Sequence, residues 1–275
     1  MSTLTYAVAD SATMLRRTLR HMRRYPSMTI MLLGMPIVLL LVFVYVFGGA
    51  IGSGIGGGIG GSGLDGGPAG AGGRAAYVNY LVPGIIGITV ASAVQGTAIS
   101  VAMDMTDGIM NRFRTMAIYR ASVLVGHVVG SMIQTMLSLV VVVGVALVVG
   151  FRPHASAVEW IAAIGMLALF TLALCWLAVA LGMKAKSVET ASNTPMFLIL
   201  LPFLGSGFVP TDSMPAVLRW FAIYQPFTPV METLRGLLLG APIGNNAVIA
   251  AAWCVVITAF GYLVSKRLFI RDPRP

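Results

Sequence analysis

Residues 104–116 read DMTDGIMNRFRTM and gather Asp104, Asp107, Arg112 and Arg114 around Gly108. Paired carboxylates can act as general acid and base or hold a cation, and arginines can hold a phosphate. Each of these uses needs further groups to converge. The histidines are His21, His127 and His154, and neither H-x-x-x-H nor C-x-x-C spacing occurs. The lysines are Lys184, Lys186 and Lys266, and none follows a glycine, so the chain has no G-x-x-x-x-G-K-[ST] phosphate loop. Gly52, Gly54 and Gly57 match G-x-G-x-x-G, but inside a glycine-rich run with no strand before it and no helix after it. No G-x-S-x-G elbow appears. Glu232 and Arg235 are spaced to pair on one helix face, which suits a segment seated at an interface.

The elements that must carry these residues follow from composition. The chain is 57% hydrophobic and 10% charged, well below the charged fraction that covers a soluble domain. Charge-free windows separate Arg24 from Asp65, Arg74 from Asp104, Arg120 from Arg152, Glu159 from Lys184, Glu189 from Asp212 and Arg235 from Lys266. Each is long enough for a membrane-crossing helix. The spacing predicts spans near 28–48, 79–102, 123–150, 158–182, 193–209 and 246–265. The helical period argues against a β-barrel. The first span follows a long charged segment and is read as a retained helix, not a leader. Cys175 and Cys254 fall inside spans and read as packing residues.

An even number of spans places both termini on one side. That side carries Arg16, Arg17, Arg20, Arg23, Arg24, Arg112, Arg114, Arg120, Lys184, Lys186, Lys266, Arg267, Arg271 and Arg274. The other carries only Arg74, Arg152, Arg219 and Arg235. The positive-inside rule makes both termini cytoplasmic, and the excess of basic residues needs no nucleic acid to explain it. Apart from Glu159 at the very edge of the 158–182 span, every acidic residue lies outside the predicted spans, which leaves a proton-coupled carrier little to titrate. His127, near the inner end of the third span, reads as a helix–helix hydrogen bonder.

The connecting segments have character of their own. Wound as a helix, residues 1–24 set Leu4, Val8, Leu15 and Leu19 on one face and the arginines on the other. Such a helix lies in the membrane surface. Residues 48–73 are more than half glycine and read as a flexible external loop over 49–77. In 104–120, Ile109, Met110 and Phe113 share one helical face while Asp107 and Arg114 point away. That bulky stripe is more than a solvated connector needs. Over 210–245, Asp212 or Ser213 followed by Pro215 and Thr228 followed by Pro229 are helix starts, predicting two short helices that re-enter the outer leaflet.

The acidic-Gly-Arg connector resembles that of ABC-2 type transport permeases of the daunorubicin/doxorubicin-resistance kind. LRHMRRYP before the first span, YLVPGIIG opening the second, GHVVGSM in the third and GFRPHA after it are similar to that family. So is the stretch from GSGFVPTDSMP to METLRGLLLG, and the likeness covers residues 15–270 in order, the long glycine-rich loop being a departure. The resemblance implies an all-α integral membrane protein in one transmembrane domain. It would have six spans, an interfacial N-terminal helix, a cytoplasmic coupling helix and a re-entrant helical hairpin before the last span.

It implies a permease subunit of an ATP-binding cassette exporter in the bacterial plasma membrane, moving a hydrophobic or amphipathic compound. The chain would bind no cofactor. ATP and Mg2+ would belong to two copies of a separate ATPase, and a second copy of this chain or a similar permease would complete the path among membrane lipids. Arg16, Arg20, Asp104, Asp107, Gly108, Ile109, Met110, Arg112, Phe113 and Arg114 would then meet the ATPase. The external gate would comprise Pro210, Pro215, Arg219, Pro226, Glu232 and Arg235. Polarity and bulk nominate Gln95, Thr97 and Ser100 on the second span and Asn193, Phe197 and Phe203 on the fifth as the path. The alternatives are a stand-alone secondary transporter and an intramembrane enzyme.

Overall fold

A computed structural model describes residues 26–47, 71–106 and 120–271. The amphipathic segment 1–24, the glycine-rich run to residue 70 and connector residues 107–119 lie outside the described residues. Among the described residues every regular element is helical. Helix α1 (Pro26–Leu41) runs straight into a π-helical turn, Val42–Phe47. Helices α2 (Ala71–Thr106), α3 (Arg120–Val149) and α4 (Ala157–Lys184) follow. Two short helices, α5 (Val188–Asn193) and α6 (Met196–Leu200), lead to α7 (Ala216–Tyr224), α8 (Phe227–Leu239) and α9 (Asn246–Arg271).

Four helices, α2, α3, α4 and α9, are long and apolar enough to cross a membrane, and the apolar stretch of α1, Leu33–Val46, is shorter. Together they make a multi-pass membrane protein. α2 is the central post: 78% of its most apolar window is buried inside the protein, against 17% for α9. α9 instead turns Val248, Val255, Val256, Phe260 and Leu263 outward. Apolar side chains facing out are what a bilayer solvates and water does not. α2 also begins at Ala71, ahead of the expected 79.

Close helix contacts are made where glycine removes the side chain. Gly261 on α9 sits against the backbone of Trp176 and Leu177 on α4, where an added Cβ would lie 2.7 Å from the Trp176 carbonyl carbon. Tyr262 then meets Trp176 edge-on, with centroids 5.1 Å apart. Gly182 on α4 likewise abuts Ala98 on α2. Small residues at crossings are how membrane helices gain dispersion contacts. Cys175 and Cys254 are buried and free, packing within these crossings.

The window over 193–209 differs from a single span. α5 ends at Asn193, α6 covers only Met196–Leu200, and residues 201–209 form turns and a bend. Pro195 and Pro202 each lack the N–H that a continuing helix needs. Hydropathy alone does not register that break.

Two helix starts have sequence causes. Ser156 and Glu159 form a reciprocal capping box at α4, with Ser156 N–H donating to Glu159 Oε2 at 2.6 Å. Ser187 caps α5 by accepting from Thr190 N–H. At the far end of α8, Gly240 takes φ 75° and donates its N–H to Gly236, a left-handed cap that glycine adopts without strain.

Candidate functional site

The ends of α2 and α3 that flank residues 107–119 come first. Asp104 lies in the last turn of α2, and its Oδ2 is 3.0 Å from His127 Nε2 on α3, with side chains 13% and 9% exposed. Around this pair packs an apolar cluster of its own, Val101, Leu124, Val128, Trp176, Val179 and Met183, distinct from the main core. His127 is therefore a helix–helix hydrogen bonder, as the sequence suggested. Of the expected ATPase-facing residues, Asp104 is placed here. Arg16, Arg20, Asp107, Gly108, Ile109, Met110, Arg112, Phe113 and Arg114 lie outside the described residues.

The nominated path residues are spread over different surroundings. Gln95 Nε2 donates to the Ser192 carbonyl at 3.0 Å and lies 3.2 Å from its hydroxyl, joining α2 to α5. Thr97 is buried, and its hydroxyl donates back to Ala93 O within α2. Ser100, Asn193 and Phe197 are exposed on the surface of the chain. Phe203 stacks on Phe208 with centroids 4.5 Å apart, and Phe208 also meets Phe43 at 5.0 Å. Gln95 and Phe203 thus tie elements together, while the Phe197 ring is exposed on the surface of the chain.

Among the described residues, the densest polar arrangement lies around the turns of residues 201–209. Irregular backbone leaves carbonyls and N–H groups without ladder partners, and in a membrane they must be met by protein. Four side chains from distant segments meet them here. Gln225 Nε2 donates to Leu201 O at 2.9 Å, and Ser206 N–H reaches Thr228 Oγ1 at 3.4 Å. Ser206 O accepts from both Tyr80 Oη and Arg235 Nη2, each at 2.9 Å. Glycines let the segments close in: a Cβ on Gly84 would strike the backbone of Gly207, and one on Gly205 would meet Gln225 and Thr228.

Arg235 is the centre of this knot. It is 8% exposed, a costly place for a guanidinium unless its donors and charge are met. Glu232 pairs with Nη1, one helical turn away. Nη2 serves Tyr80 O at 3.3 Å as well as Ser206 O, and the guanidinium carbon lies 4.1 Å above the Tyr80 ring. The sequence pointed to the Glu232–Arg235 pair but placed it at an interface. The structure buries Arg235 because its partners on α2 and in the turns outweigh solvation. Tyr80, Ser206, Gln225 and Thr228 were not foreseen, since nothing in their local sequence signals a contact across the fold.

The remaining gate candidates flank this knot. Pro210 precedes a 3-10 turn, Thr211–Ser213, and Pro215 precedes α7. Pro226, and not the Thr228–Pro229 pair, stands at the start of α8. The N-terminus of α8 is deep: Phe227 meets Phe170, mid-way along α4, edge-on at 5.0 Å. Its C-terminus is near the α3–α4 connection, where His154 N–H donates to Leu238 O. α7 exposes Val217, Arg219, Trp220 and Tyr224, with Trp220 67% exposed. Exposed Trp and Tyr beside Arg suit a membrane–water boundary.

Comparison with known proteins adds to this geometry. The family model described as ABC-2 type transporter matches residues 11–239. The chain is similar to the daunorubicin resistance ABC transporter permease protein DrrB1 of Streptomyces coeruleorubidus, 26% identical over 235 residues, covering 85% of this chain and 76% of the relative. It is also similar to the probable doxorubicin resistance ABC transporter permease protein DrrC of Mycobacterium tuberculosis (strain CDC 1551 / Oshkosh). There the identity is 22% over 204 residues, covering 69% of this chain and 74% of the relative.

Proposed function

The chain belongs to the ABC-2 type transporter family, and from that premise we infer that it is the membrane subunit of an ATP-binding cassette drug exporter. The observation that carries this reading is the family match over residues 11–239 together with relatives named as drug-resistance permeases. The cargo is a hydrophobic or amphipathic compound, drug-like or lipid. Energy comes from a cassette ATPase partner, since this chain lacks a phosphate loop and its relatives are permease subunits.

The finer reading has two ATPase copies and two permease chains in a bacterial plasma membrane, with both termini cytoplasmic. The segment 193–209 counts as the fifth span, broken, which brings the spans to six, and α7 with α8 as a re-entrant hairpin that closes the path outside. The depth of Phe227 beside Phe170 and the outward position of Leu238 beside His154 support that hairpin. Residues 104–120 and the N-terminal arginines form the ATPase-facing surface, so that closure of the ATPase moves α2. ATP and Mg2+ stay in the partner.

The test is transport by the chain with its cassette ATPase in inverted vesicles, using a fluorescent anthracycline as the probe. ATP-dependent uptake that vanishes when the ATPase is omitted is expected. Uptake driven by a proton gradient without the ATPase would sink the reading in favour of a secondary transporter.

A further inference from the structure

We propose that His127 is a positioning residue for energy coupling: it holds the cytoplasmic end of α2 through Asp104, so that α2 and α3 move as one unit. This rests on the reading of residues 104–120 as the ATPase-facing surface.

The geometry places the pair where such a brace is needed. α2 ends at Thr106 and α3 begins at Arg120, so residues 107–119 depart from one helix end and return to the other. Asp104 stands in the final turn before that departure. His127 stands about two turns inside α3, level with Asp104 across the 3.0 Å contact. A push delivered on residues 107–119 therefore reaches the helices at this contact.

The surroundings explain why a polar group is used. The rest of the inner packing is apolar: Val101, Leu124, Val128, Trp176, Val179 and Met183, with Met105 and Val125 against them. Apolar contacts are non-directional and by themselves set helix rotation only loosely. A carboxylate–imidazole hydrogen bond is directional, so it fixes both the height and the rotation of α2 against α3. The carboxylate of Asp104, mostly removed from solvent, also needs a donor. An imidazole that carries its proton on Nε2 can donate to the Asp104 carboxylate at this distance.

From α2 the motion has onward routes. Gln95 holds the carbonyl and hydroxyl of Ser192 on α5, and Ala98 packs directly on Gly182 of α4. With α2 fixed to α3, displacement of the connector turns the post as a rigid body. Without the brace, the end of α2 shifts alone and less of the displacement reaches the path.

The experiment compares wild type, His127→Leu and His127→Gln, each co-reconstituted with the cassette ATPase in vesicles and given the same anthracycline. His127→Leu is expected to insert, bind the ATPase and keep its basal ATP hydrolysis, while transport per ATP falls about fivefold. His127→Gln, whose amide N–H can still reach Asp104, is expected to stay within about twofold of wild type. A His127→Leu variant that couples like wild type overturns the proposal. Equal losses in both variants also overturn it, because they point to packing of the ring. Should His127→Leu fail to insert, the swap Asp104→His with His127→Asp decides: restored coupling supports the brace, and lost coupling in an inserted swap overturns it. A wild-type pair with no ATP-dependent transport removes the exporter reading first, and the proposal with it.

Discussion

Arg235 shows how a single charge can organise a membrane protein. A guanidinium offers donors in a fixed fork, and here the fork serves Glu232, Tyr80 O and Ser206 O together. Replacement by alanine removes the donors while leaving Glu232 without its counter-charge. Arg235→Ala is expected to lower stability by about 3 kcal/mol, measured by denaturant unfolding in detergent or bicelles. Arg235→Lys is expected to recover only part of that loss, because a single ammonium cannot span both carbonyls and the carboxylate. A lysine variant as stable as wild type would refute the forked role. Local spacing made the Glu232–Arg235 pair legible, since residues three apart share a helix face. The burial of Arg235 was not legible: its partner Tyr80 lies 155 residues away in the chain and Ser206 lies 29 away.

Among elements, the crossing of α4 and α9 depends on the absence of a side chain at Gly261. A Cβ there would lie 2.7 Å from Trp176 C and 2.8 Å from Leu177 N. Gly261→Leu is expected to cost about 2 kcal/mol by forcing the helices apart. Gly165, also on α4, has nothing within 4 Å of a built Cβ. Gly165→Ala is therefore expected to leave stability unchanged or raise it by about 0.5 kcal/mol. The two can be compared in one unfolding series, and equal destabilisation would contradict the packing account. For the connector, Asp107→Lys or Arg114→Glu is expected to leave insertion intact and abolish substrate-stimulated ATP hydrolysis in the reconstituted pair. Normal transport by both variants would show that the connector does not carry coupling.

At the scale of the whole molecule, the division of labour is between a buried post and exposed outer helices. α2 is enclosed by α1, α3, α4 and α8 together with the short helices α5 and α6, while α9 and much of α3 face outward. Motion imposed on α2 therefore reaches most of the fold. The glycine-rich run is a different case, on composition alone. Deletion of residues 52–70 is expected to leave ATP-dependent transport within about twofold of wild type, since shortening a glycine-rich connection changes closure entropy only slightly. A transport assay on the deletion variant checks this, and a tenfold or greater loss would assign the run a function.

The sequence by itself determined the membrane class, the positions of the long apolar helices and the paired spacing of Glu232 with Arg235. Charge-free length and helical spacing are local properties, and the bilayer reads them directly. The capping box at Ser156 and Glu159 also rests on a local S-x-x-E spacing, but it came to notice only in the structure. Only the tertiary structure decided how residues 193–209 fold and what they meet. Their broken backbone is satisfied by Tyr80, Gln225, Thr228 and Arg235, and Tyr80 stands 126 residues from Ser206. The same holds for Asp104 and His127, which face each other only once α2 and α3 pack. A hydrogen bond needs its partner at a particular distance and angle, and that placement exists only after the helices have assembled.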